Sequence, residues 1–446
     1  MNRRDFIRMS AAATTLMCGP MRLALAQQGP YQGPYLLMIE ANGGWDPTSF
    51  CDPKGRGNGP DGNINTYDPA DIGRAGNIRY APPPESFLPG GSNYIEGLYT
   101  NKQFFDAHFQ RLTVINGVDY ATGSHSIGRA ASWTGTRTRF YPAIGALAAA
   151  ELAPNAPLPF IANGTGESAQ TAGVAPRAII RGNNLGSIKE IAFPDRIDVG
   201  NANTYMPGNV SQLVNFAAAD RRQRQMNEQR LMRIRAALTD FSDARSIDSS
   251  TISSFIEKLE NAPRPNAYGQ QFGAARNLFQ QAQVAFSAFE SGAGAAAQIR
   301  LPGFDTHGNH DASHYPRLMN LLAGVDNIIT DAVARGLGDN LVIMMASDFA
   351  RTNRYNANAG KDHWSHGSVM VWAGPNFAPG NRVVGGTDSN QVSLELDLNT
   401  LQPDPQGVRL SPEYVHQALR DLLGIAQRPQ VVTRFPFAEA VLPIFA

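Results

Sequence analysis

Tyr35-Leu36-Leu37-Met38-Ile39-Glu40 is a short apolar run that stops at Asn42-Gly43-Gly44-Trp45-Asp46. Its length and its Gly loop predict a strand buried on both faces, running into a turn that carries a carboxylate. The same pattern recurs. Residues 112–116, 160–162, 178–181, 299–304, 341–346 and 369–372 are further short apolar runs, and those at 299 and 341 stop at Asp305 and Asp348. Between them, residues 99–111, 142–152 and 316–335 carry apolar residues at helical spacing. Strand–loop–helix alternation predicts an α/β layered fold with a mostly parallel central sheet.

Two stretches depart from that alternation. Residues 51–95 are rich in Gly, Pro, Asn and Asp and predict a long irregular excursion. Residues 211–292 read as a run of helices with Arg and Gln faces, expected as a helical insert within one domain over 27–446.

Residues 1–26 read as an export signal. Arg3-Arg4-Asp5-Phe6-Ile7 opens it, a mildly apolar stretch follows, and Ala24-Leu25-Ala26 closes it. The paired arginines resemble the twin-arginine motif, which implies passage through that export machinery and a periplasmic or secreted location. The whole chain has 446 residues, 38 basic and 38 acidic side chains and two cysteines. Cleavage would remove four basic and one acidic residue together with Cys18, leaving 34 basic, 37 acidic, net −3 and the single Cys51. One thiol makes no intrachain disulfide. That charge balance, with no block of like charge, argues against a nucleic-acid partner. No apolar run in the chain reaches the ~18–20 residues of a membrane span.

Ligands of open α/β sheets bind outside the carboxyl ends of the strands, so Asp46, Asp305 and Asp348 should converge there. Six of the eight histidines fall in three short windows: His125; His307, His310 and His314; His363 and His366. Carboxylates with neutral imidazoles suit Zn²⁺ or another divalent ion. Each acid also has a plain reading: Asp46 caps the turn after Gly44, Asp305 is an N-cap, and Asp348 starts a helix. His108, His314 and His416 read as structural or solvent-facing.

These motifs resemble the alkaline-phosphatase-like superfamily, and more closely the exported bacterial DUF1501 family over nearly the whole chain. The likeness rests on Arg3-Arg4-Asp5-Phe6, Gly43-Gly44-Trp45-Asp46, Phe304-Asp305-Thr306-His307-Gly308, Ser347-Asp348-Phe349-Ala350-Arg351-Thr352 and Asp362-His363-Trp364. It implies a three-layer α/β/α sandwich. It further implies one or two divalent ions held by Asp46, Asp305, His307 or His310, Asp348 and His363, with His366 a competitor. Ser126-Ile127-Gly128-Arg129-Ala130-Ala131 resembles the nucleophile stretch of sulfatases, with His125 in place of the residue they convert to formylglycine. Ser124, Ser126 and His125 are then the candidates for attack, and Arg129 for holding the oxygens of a small anionic ester. The expectation is a metal-dependent hydrolase of phosphate or sulfate esters. Its rival is a degenerate binding or assembly protein, favoured by Phe349 where the superfamily carries a metal histidine.

Overall fold

A computed structural model describes residues 31–57, 64–138, 140–163, 170–171, 173–174, 179–181, 196–197, 203–232, 234–235, 238–239, 249–263 and 272–446. The signal reading of residues 1–26 lies outside them. Among the described residues no helix is long and apolar enough to cross a membrane.

The opening run forms the strand Tyr35–Asn42, and it is central. Eight strands make one sheet in the order Arg382–Gly385, Leu112–Asp119, His366–Ala373, Leu341–Ser347, Tyr35–Asn42, Ala296–Pro302, Phe160–Ala162 and Ile179–Arg181. All pairings are parallel except those of His366–Ala373, which runs antiparallel to both neighbours. The fold is therefore α/β with a mostly parallel sheet.

Alternate residues of the first strand face opposite layers, as a two-residue period requires. Leu37 and Ile39 join a core with the helices Asn101–His108, Ser249–Glu260, Gly273–Glu290 and His310–Ala334. Leu36 and Met38 join a second core with His125–Thr134, Ile144–Leu152 and Pro412–Leu422. Each of these four side chains is wholly buried, stabilising the strand by roughly 1.5–3 kcal/mol apiece. Helices on both faces of one sheet make three layers.

Three expectations shift. The helix expected over residues 316–335 begins earlier, running His310–Ala334 with Arg335 as its C-cap, and tolerates Pro316 in its interior. The stretch expected as an insert ends in Gly273–Glu290, which buries one face against the sheet and the His310–Ala334 helix, so it belongs to a layer. The irregular stretch 51–95 carries one short hairpin, Gly73–Ala75 with Ile78–Tyr80.

Candidate metal centre

Parallel strands deliver their loops to one edge, and the sheet's centre delivers four. Ser347 clamps two of them: its Oγ accepts from Gly44 N and Trp45 N, each at 2.9 Å, and donates to Ala41 O. Gly43, at φ 122°, lies so close to the Asp305 loop that a Cβ there would sit 2.5 Å from Asp305 N. Gly128 lets the His125–Thr134 helix press onto the Asp348 loop, where a Cβ would sit 2.2 Å from Asp348 O. Small residues thus bring Asp305, Asp348 and His125 to one place.

A ligand atom from each of His125, Asp305 and His363 lies within 4.8 Å of the other two. His125 Nε2 is 3.5 Å from Asp305 Oδ2, and His363 Nε2 is 3.4 Å from Asp305 Oδ1. Four ligands at 2.0–2.1 Å around zinc are separated by about 3.3 Å, so each of these two separations, which end on different oxygens of Asp305, is close to that spacing.

The outer ring nitrogens fix the tautomers. His125 Nδ1 lies 2.7 Å from Asp348 Oδ2, and His363 Nδ1 lies 2.6 Å from Gly123 O. Both partners accept only, so each Nδ1 carries a proton, and each Nε2 faces Asp305. His307 repeats the arrangement, with Nδ1 2.7 Å from Asp362 Oδ1 and Nε2 3.0 Å from both His363 Nε2 and Asp305 Oδ1. Two imidazole lone pairs so close repel unless a cation or proton lies between them. A proton shared between the rings satisfies this contact as a hydrogen bond, and a divalent ion would satisfy it as well.

Burial would raise the Asp305 carboxyl, but Arg351, 2.7 Å from Oδ1, outweighs it and holds the group below its ordinary range. Burial lowers His363, which favours the neutral, ligating ring. Phe349 is buried against both imidazoles, 4.8 Å from the His125 ring and 4.6 Å from the His363 ring, while those two rings meet edge to face at 4.5 Å. It dries the inner side of the group and supplies no ligand.

Other residues of the expected set lie elsewhere. Asp46 is wholly buried and caps the Pro47–Ser49 turn through Thr48 N at 3.0 Å, as the plain reading has it. Its Oδ2 meets Lys361 Nζ at 2.7 Å and His310 Nε2 at 3.2 Å, which keeps both Asp46 and His310 out of the Asp305 group. Burial would raise Asp46, but Lys361 and His310 together hold it well below the usual carboxylate range. His314 is buried and accepts from Asp46 N at 3.2 Å, while burial keeps its ring neutral. His366 turns away to Ser393 Oγ at 2.7 Å. Asp348 acts behind His125, and its Oδ2 also meets Arg129 Nη1 at 3.4 Å. Ser124 and Ser126 stand at the exposed start of the same helix, their hydroxyls 3.4 Å apart. Asp305 and Asp348 start no helix: the nearest one begins at His310 behind Asn309, and Asp348 precedes a two-residue strand.

Reading by sequence missed Arg351, Lys361 and Asp362 as site residues. Arg351 is buried, spans the carbonyls of Gly43, Gly44 and Lys361, and pairs with His363 in a two-residue ladder. Arg351, three residues after Asp348, and Lys361, next to Asp362, were the available signal.

Solved structures similar to this chain include Ps i-CgsB in complex with k-i-k-neocarrahexaose, at 11% identity over 90% of this chain and 77% of that one, with a TM-score of 0.37. The alkaline phosphatase from the Antarctic bacterium TAB5 is 9% identical over 81% of this chain and 96% of its own, with a TM-score of 0.33. A 2-O GAG sulfatase is 10% identical over 89% and 72%, with a TM-score of 0.32. No curated protein matches the chain. Residues 35–404 match the model described as "Protein of unknown function (DUF1501)", and the chain belongs to that family.

Proposed function

We propose that the protein is a metal-dependent hydrolase of small phosphate or sulfate esters, acting in the periplasm after twin-arginine export. The observation that carries this reading is the convergence of His125, Asp305 and His363, with both Nδ1 protons committed to outer acceptors. Three protein ligands would leave a fourth position, as catalytic sites do, with His307 Nε2 beside it at 3.0 Å from Asp305 Oδ1. Held by His125, Asp305 and His363, a divalent ion would supply Lewis-acid polarisation of an ester oxygen.

The chain's own groups do the rest. Arg129, one turn into the helix that begins at His125, offers its guanidinium to the non-bridging oxygens. The backbone N–H groups at that helix start add positive potential for the anion. Ser124 and Ser126 supply hydroxyls beside it. His125 leaves the list of attacking groups, because its Nε2 faces Asp305 and its Nδ1 is held by Asp348.

The test is hydrolysis of p-nitrophenyl phosphate and p-nitrophenyl sulfate by mature protein loaded in turn with zinc, manganese and magnesium. Turnover by wild type, lost in His125→Ala and Asp305→Ala, supports the reading. Turnover that survives both variants contradicts it.

A second reading, a periplasmic binding or assembly protein without turnover, is favoured by Arg351, which already occupies Asp305 Oδ1 at 2.7 Å. Ion binding without turnover across the panel would favour it.

A further inference from the structure

Asp46, His310 and the Thr48 hydroxyl carry oxygen and nitrogen donors of the kinds that hold a divalent cation, yet an ammonium is bonded to Asp46 and Thr48. Lys361 Nζ lies 2.7 Å from Asp46 Oδ2 and 3.3 Å from Thr48 Oγ1, with Lys361 and Asp46 wholly buried. His310 Nε2 meets the same carboxylate oxygen at 3.2 Å. Its Nδ1 faces the Thr306 hydroxyl at 2.7 Å, and a hydroxyl serves either tautomer because it both donates and accepts. His310 can therefore present a hydrogen to Asp46 or a lone pair to an ion without losing its outer partner.

The charge balance explains the lysine. A buried carboxylate is tolerated only when paired. With His310 and His314 kept neutral by burial, one positive charge closes the account. Lys361 provides it, and the ring of Tyr355, 5.0 Å from Nζ, covers the ammonium. A metal bound to the same oxygen at ~2.0–2.2 Å would need the space that Nζ fills.

We propose that Lys361 is a built-in cation, filling a shell that Asp46, His310 and Thr48 would otherwise offer to a metal ion. Among the described residues this leaves one ion position, at Asp305. That count of one rests on the metal reading of the Asp305 group, whereas the exclusion at Asp46 does not. Lys361 also stands two residues before His363, so one segment delivers both the imidazole and the fixed charge.

The experiment is equilibrium dialysis of metal-free wild type and Lys361→Ala against zinc chloride, with ions counted by elemental analysis and folding followed by circular dichroism. Lys361→Ala is expected to bind one zinc more than wild type. An equal count in folded variant and wild type overturns the inference. If Lys361→Ala folds only with zinc present, the inference is supported. If it stays unfolded with zinc while Lys361→Ala/Asp46→Asn folds, the inference is overturned. The double variant, with its carboxylate removed, should bind no extra ion. A wild type without zinc beside a Lys361→Ala variant with one ion would sink the Asp305 reading and leave this inference standing.

Discussion

Nδ1 of His125 lies 2.7 Å from Asp348 Oδ2, and its other nitrogen faces Asp305. That bond does what a capping carboxylate could not: it sets the tautomer and angle of an imidazole that begins a helix. Asp348→Asn keeps the shape and removes the charge. Loss of such an outer partner lowers metal affinity about 10- to 100-fold. A competitive titration with a chromophoric chelator measures it, and unchanged affinity would mean that Asp348 does not orient His125.

Gly43 allows the approach of two loops, and its substitution separates strain from collision. Gly43→Ala puts a methyl 2.5 Å from Asp305 N at φ 122°, where backbone must move. Gly57→Ala faces open space at φ 76° and should cost only the left-handed penalty of ~1–2 kcal/mol. Gly43→Ala should be the more damaging by a clear margin in denaturant unfolding, and it should weaken ion binding as well. Equal losses would show that the contact is not needed.

Acid should destabilise the protein through a buried histidine, beginning below about pH 6.5. His416 is buried, donates from Nε2 to Ser132 O at 2.8 Å, and burial lowers it to about 4. Unfolded histidine takes a proton near 6.5, so the unfolded chain binds more protons as pH falls between the two values. The stability is fully present above about pH 6.5 and is lost as pH falls toward about 4, on the order of 3 kcal/mol in all. His416→Gln should reduce the slope of the unfolding free energy across that window, leaving the part contributed by His310 and His314. A slope identical to wild type would place the acid sensitivity elsewhere.

The sheet was legible because its strands are apolar runs of strand length, and Asp305 was legible because it follows one. The direction of His366–Ala373 was not, since a strand buried on both faces reads the same either way. Asp46 misled because a carboxylate after a central strand suits a metal and a turn cap equally. Only the packing of Lys361 against it decides between them. His310 and His314, one turn apart on a helix, follow Asp46 into that buried cluster, whereas His307, just before the helix, stays with Asp305. Arg351 could not be read as a partner of Asp305, because they are joined by loop geometry alone.

Zinc titration of metal-free mature protein against a competing chelator tests the central claim most directly. At neutral pH the wild type should bind one ion per chain, and His125→Ala, Asp305→Ala and His363→Ala should each lose it while remaining folded. A folded wild type that binds no zinc, or three variants that bind it as tightly as wild type, would contradict the metal centre.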